Sequence, residues 1–390
     1  MKTKTHQPLI SIGPRVRKSP YFDATCRYGV KAFTIYNHTF MPTSYTDPLS
    51  EYWSLVNDVT LWDVTCQRQV EISGPDAIKL IQLLTPRNMS KCNVGQCQYL
   101  LLTDDDGGII NDAIMLRVEE NLFWLSPGDG GVLLWAKGVA LNSGMDVKVY
   151  EPDVSPLQLQ GPKSPHVMRD LFGESILDLK YYWMIETELE GIPLVVSRTG
   201  WSGELGYELY LRDSKFGDQL WETIMGAGQP YSIAPSPPNT IRSVEGGLLS
   251  YTSDITRADN AYILGIDWLV DLDQPDDFIG KSALAKVKAD GPQRLLVGVE
   301  LHGNPLEAPN SEFWPVYTGD TKVGHITRCV FSPRLKKNIG FANVPVALAD
   351  TGSELTIKSP DGDRKATVCE YPWFPAQKKM REEFWQAAQA

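Results

Sequence analysis

The stretch TGWSGELGYELYL, Thr199 to Leu211, decides how the rest of the chain is read. Its last five residues alternate, so as a strand they put Glu208 and Tyr210 on one face and Leu209 and Leu211 on the other. The turn before them holds Trp201 and glycines at 200, 203 and 206, which permit positive φ and bring a ligand close to the backbone. An aromatic, a carboxylate and a glycine-rich turn on one strand suit a flat polar heterocycle. The plainer reading is a hairpin carrying a surface glutamate.

Outward from this segment, short strands alternate with single helices, which predicts α+β rather than a doubly wound sheet. On the N-terminal side, residues 30–43 read as strand and turn, and Pro48 to Val59 as a helix running into SLVNDVTLWDV. RQVEISG is a strand, PDAIKLIQLLT has helical spacing, and CQYLLLTDDDGGIINDAIMLRVEENLFWLS reads as strands joined by Asp/Gly turns, with a helix at DGGVLLWAKGVAL. A second unit of the same kind has strands at SPLQLQG, PLVVSRTG and YELYL and helices at SPHVMRDLFG and GDQLWETIMGAG. From Arg294 onward the patterns are those of a small closed β domain, followed by a short helix-like tail, QKKMREEFWQAAQA.

The chain has 390 residues, beyond the ~250–300 at which one core stops growing, so more than one domain is expected. With 42% hydrophobic and 22% charged residues and no apolar run long enough for a bilayer, it reads as a globular protein with no membrane partner. MKTKTHQP leads into no apolar segment, which favours a cytoplasmic location, and the six scattered cysteines then read as free thiols. No metal is expected: there is no C-x-x-C, and no two of the five histidines share a helical turn. A net charge of −11 argues against nucleic acid. Residues 1–38 nevertheless carry +7 − 1 = +6, and Arg17, beside Pro20 and Tyr21, is a candidate cation for an acidic ligand.

Several motifs fail on their spacing. GKS at 280–282 would need a glycine where Pro275 stands, so there is no P-loop. GWSGE replaces the last glycine of a nucleophile elbow by Glu204, and GDGG at 128–131 lacks the dinucleotide-binding spacing.

The segments VTLWDVTCQRQVEISGPDA, VGQCQYLLLTDDDGGIINDAIML, LQGPKS, SRTGWSGELGYELYL, NTIRSVEGGLLSY, DFIGKSAL and FSPRLKKNIGFANVP together resemble the tetrahydrofolate-dependent aminomethyltransferase family, the glycine cleavage T-protein and its relatives. Within it, GVKAFTIYNHTFMPT, EYWSLVNDVTLWDVTCQRQVEISG and GWSGELGYELY look most like dimethylsulfoniopropionate demethylases, although LSPGDGG and GELG depart from their pattern. The resemblance implies an α+β, three-domain architecture with a C-terminal β-barrel-like domain. Its expected parts are residues 1–50 with 147–270 as a discontinuous folate-binding domain, 51–146 as a second domain, 271–375 as the β domain and 376–390 as a tail.

The resemblance further implies tetrahydrofolate as methyl acceptor and a small sulfonium as donor, with a homodimer left open. A pterin presents an amide N–H beside an exocyclic amine, a donor pair that one carboxylate accepts; Glu208 is the candidate. Tyr99 is expected to stack on the cofactor and Trp201 to border it. Arg242 is expected either to meet the acidic tail of folate or to pair with Glu245. Asp112 matches the family's essential aspartate. For the donor, Trp201, Tyr210 and Tyr36 offer aromatic faces suited to a diffuse cation, and Arg17 a cation for a carboxylate. Other donors within the same reading are a quaternary amine, a methyl ether and a lipoyl-carried aminomethyl group. Outside it stands a non-catalytic folate-binding protein, against which KCNVGQCQY counts.

Overall fold

The computed structural model describes residues 11–379. Two sheets face one another and a closed barrel stands beside them. The first sheet has six strands in the order Met184–Leu189, Ile192–Ser197, Gly206–Leu211, Ser155–Gln160, Val59–Asp63 and Ile233–Pro235, antiparallel except for the last pair. Along Gly206–Leu211 the leucines enter the core beneath helices Ser164–Phe172 and Gly217–Gly228, together with Leu157, Val196 and Trp221. The opposite face meets the second sheet.

That second sheet is an antiparallel meander, Cys97–Thr103, Ile109–Glu119, Leu122–Pro127, Val70–Ser73 and Lys148–Tyr150. Its outer face packs on helices Ala77–Leu84 and Val132–Ser143 through Leu100, Met115 and Phe123. Its inner face joins the first sheet where Leu116 and Trp124 touch Val195 and Tyr210. Six strands between Arg294 and Cys369 close the barrel, with Val299, Val316 and Ile357 filling its centre. The α+β class and the closed C-terminal barrel match the expectation.

The strand Val59–Asp63, wholly buried, is not among the expected elements, which run the helix on through Val59 into this segment. The helix before it stops earlier than expected, at Asn57, after starting where the Asp47 carboxylate accepts from Leu49 N and Ser50 N and Pro48 opens the first turn. Near the N-terminus, Ala32–Tyr36 and Thr39–Ser44 form a hairpin. At the other end, residues 370–378 leave the barrel and return to the first sheet: Gln377 N donates to Gly203 O at 3.0 Å and Arg198 Nη2 to Lys378 O at 2.9 Å. The expected tail helix lies largely outside the described residues.

Candidate active site

A cavity of about 820 Å³ opens where the sheets, the hairpin, the barrel and the returning C-terminal segment meet. That size suits a drug-sized ligand, for which pockets run to about 300–1,000 Å³. Glu208, Tyr99, Asp112, Trp201 and Tyr36 all line it.

Glu208 sits mid-strand, opposite Gln158 on one neighbour and Ser197 on the other. It is 2% exposed. Gln158 Nε2 donates to its Oε1 at 2.8 Å and the Thr199 hydroxyl to its Oε2. Both donors are neutral, and burial raises the carboxyl pKa against the pull of those hydrogen bonds. A buried carboxylate without a cation is expensive to keep. Its orientation toward a cavity makes it the feature on which the fit of a folate is judged, and a side-by-side N–H pair would satisfy it.

Asp112 and Tyr99 come from adjacent strands, whose register pairs Tyr99 with Ile114 and Leu101 with Asp112. The Tyr99 hydroxyl donates to Asp112 Oδ2 at 2.9 Å. Burial pushes the Asp112 carboxyl up to about 6, against that hydrogen bond. A carboxyl poised there accepts a proton near neutrality.

Trp201 is half-buried, and its indole N–H donates to Leu249 O at 3.0 Å. The Arg328 guanidinium from the barrel lies 5.7 Å from the ring centroid, so a cation already occupies part of its surroundings. Arg328 is itself paired with Asp254. Tyr251, which sequence reasoning missed, borders the cavity near Tyr36 and Asp112; burial raises its pKa and the Asp112 charge adds to the shift.

Other expectations are corrected. Arg242 is not among the residues lining the cavity and does not pair with Glu245. It is wholly buried, with Nε on Glu204 Oε1 at 2.7 Å and Nη2 on Gly203 O at 2.7 Å. Glu245 is held instead by Arg334, Tyr52 and Ser332. Tyr210 shares a face with Glu208 but lies deeper, 0% exposed and 6.2 Å from Trp124, in the seam between the sheets. Arg17 is spent on Glu151 at the surface, Nη1 to Oε1 2.5 Å. The glycines of the turn make room for the protein's own side chains. A Cβ on Gly206 would fall 2.2 Å from Gln160 Oε1, and one on Gly203 2.8 Å from Arg242 Nη1.

The rim of the cavity carries Arg87, Arg198 and Lys378, none with a carboxylate in ion-pair range among the described residues. Arg87 donates to Tyr99 O and stands 5.6 Å from the Trp268 ring, and burial lowers its pKa. These cations lie in loops without periodicity, so nothing in the sequence singled them out. Among the described residues no group of acidic, histidine or cysteine side chains could hold a metal.

Two family models match the chain in succession: the GCVT N-terminal domain over residues 21–274 and the glycine cleavage T-protein C-terminal barrel domain over residues 294–375. The chain belongs to the glycine cleavage T-protein family. It is therefore a one-carbon transferase that uses tetrahydrofolate as acceptor. It is 36% identical over 367 residues to a dimethylsulfoniopropionate demethylase of Ruegeria pomeroyi, covering 94% of this chain and 100% of that one. An aminomethyltransferase of Symbiobacterium thermophilum is 30% identical, covering 92% and 97%. The fold matches the glycine cleavage system aminomethyltransferase T from Bartonella henselae with a TM-score of 0.84 at 21% identity, over 93% of this chain and 99% of that one.

Proposed function

We propose that this family member moves a methyl group from a small sulfonium, dimethylsulfoniopropionate first among them, to N5 of tetrahydrofolate, leaving methylmercaptopropionate. The observation that carries the reading is Glu208, a buried cavity-facing carboxylate supplied only with neutral donors. The demethylase relative, at 36% identity over its whole length, supports the donor.

When bound, tetrahydrofolate supplies the nucleophilic nitrogen that accepts the one-carbon unit. Glu208 orients the pterin by accepting its paired N–H groups. Arg87, Arg198 and Lys378 meet the acidic tail that Arg242 cannot reach. At the donor, the S–CH3 bond breaks with its electron pair left on sulfur, so a neutral thioether departs and needs no acid. Asp112 takes up the proton shed by the acceptor nitrogen at its carboxylate, steadied by the Tyr99 hydroxyl. Alignment supplies most of the acceleration, since a near-attack geometry is worth about 7–11 kcal/mol.

Purified protein incubated with tetrahydrofolate and, in separate arms, dimethylsulfoniopropionate, glycine betaine and an aminomethyl-loaded lipoyl carrier tests the reading. 5-Methyltetrahydrofolate from the first arm is expected. Product from the carrier arm alone overturns it.

A further inference from the structure

The tip of the N-terminal hairpin has two consecutive non-glycine residues in the left-handed region, Asn37 at φ 47° and His38 at φ 60°. Two such residues make the tight connection whose twist suits paired strands, and they place Tyr36 directly before the turn. Asn37 is 6% exposed and held from two sides. Its backbone N–H donates to Asp129 Oδ1 at 2.9 Å, and its Nδ2 donates to Cys66 O at 3.1 Å.

Asp129 belongs to the LSPGDGG departure noted in the sequence, and the turn around it is anchored in turn. Gly128 N donates to Asn111 Oδ1 at 3.1 Å, and Asn111 Nδ2 donates to Asp129 O. Asn111 is the chain neighbour of Asp112, so the hairpin tip is tied to the strand that carries the acid. A Cβ on Gly128 would stand 3.2 Å from the Tyr36 hydroxyl oxygen and 3.3 Å from Tyr251 Cβ. Gly128 is not among the residues of positive φ. Its missing side chain therefore serves space, not backbone conformation. Burial pushes the Tyr36 hydroxyl above its ordinary pKa, against the pull of a backbone hydrogen bond from Asp129, so it stays neutral.

We infer that the Asp129–Asn37 clamp and the absent side chain at Gly128 position Tyr36 against the Asp112 end of the cavity and so set how bulky a methyl donor fits there. This rests on the methyl-transfer reading above. Asp129 and Asn37 are positioning residues: they act through Tyr36, whose ring, with that of Tyr251, walls a compact onium group. A displacement of about 1 Å at such a wall is enough for a change on the order of 100-fold in rate.

The test uses the full chain carrying Asp129→Ala, Asp129→Asn or Gly128→Ala, assayed with dimethylsulfoniopropionate and the bulkier S-methylmethionine at saturating tetrahydrofolate. Asp129→Ala should raise KM for dimethylsulfoniopropionate about tenfold, the worth of one hydrogen bond to a charged group, with KM for tetrahydrofolate unchanged. Asp129→Asn keeps an acceptor oxygen for Asn37 N–H and should rescue most of that loss. Gly128→Ala should reduce kcat/KM for the bulkier donor more than for the smaller. Unchanged donor KM in all three variants, or Asp129→Asn as impaired as Asp129→Ala, overturns the inference. If the wild type methylates tetrahydrofolate from neither donor, the methyl-transfer reading has failed. Amide hydrogen exchange then still reads the clamp: exchange at residues 37–40 should quicken in Asp129→Ala and not in Asp129→Asn, and no change overturns it.

Discussion

Glu204 and Glu208 stand on the same turn and strand, both buried at 8% and 2% exposure, yet they are supplied in opposite ways. Glu204 has the full charge of Arg242 at 2.7 Å, and that guanidinium is locked further by Gly203 O and Phe374 O. Glu208 has an amide and a hydroxyl. A buried carboxylate met by a buried guanidinium is part of the protein's own construction; one met only by neutral donors retains demand for a partner from outside. The two roles lie a single turn of sequence apart, which is why the segment as a whole resisted assignment to either structure or ligand.

Breaking the first member of the pair should have the largest effect. Arg242→Ala strands Glu204 and the Gly203 carbonyl in the interior, and chemical denaturation should show a loss of about 3–5 kcal/mol. A smaller loss would mean that Glu204 reaches solvent.

Glu208→Gln should behave in the opposite manner. Thr199 and Gln158 can still be satisfied by a carboxamide, so stability should change by less than about 1 kcal/mol, while tetrahydrofolate should bind about 100-fold more weakly through the loss of charge-assisted hydrogen bonds. Titration calorimetry reads the second quantity; undiminished affinity would remove Glu208 from the pterin site.

A third carboxylate sharpens the contrast through its proton. The folded protein holds the Asp112 proton up to about 6, whereas the ordinary value is 3.8. The native state therefore binds more protons between those values, and stability falls as pH rises through that window. Asp112→Asn should accordingly stabilise the protein by on the order of 2 kcal/mol above pH ~6 and by nothing below pH ~4. The wild-type kcat/KM should rise with pH through about 6 as the carboxylate forms, and the variant should lose both the activity and that inflection. A pH profile flat across that region would show that Asp112 handles no proton in the rate-determining step.

The barrel and the meander were legible because short β-rich runs are separated there by Asp/Gly turns, and Glu208 was legible because its own strand alternates in sequence. Alternation gives a side, not a depth. It placed Tyr210 beside Glu208 but could not show that two residues further along the cavity has closed into the seam between sheets. Val59–Asp63 escaped because it follows the helix ending at Asn57 almost without a break and was absorbed into it. The partner of Arg242 was missed because a helical neighbour, Glu245, competes in sequence with a residue 38 positions away that only the tertiary fold brings near. The rim cations and Tyr251 lie in loops, where position depends on the whole fold and not on any local rule.

The C-terminal segment that returns from the barrel to Gly203 and Arg198 is short: Lys378 follows the last barrel strand, ending at Cys369, by 378 − 369 = 9 residues. Its few hydrogen bonds would be negligible between separate molecules. On so short a tether they act at an effective concentration in the millimolar range, where weak contacts persist without having to be tight. The rim residue Lys378 is thus presented to the cavity by proximity more than by affinity. A chain cut after Cys369 could not recover that presentation from the same peptide added in solution at micromolar strength.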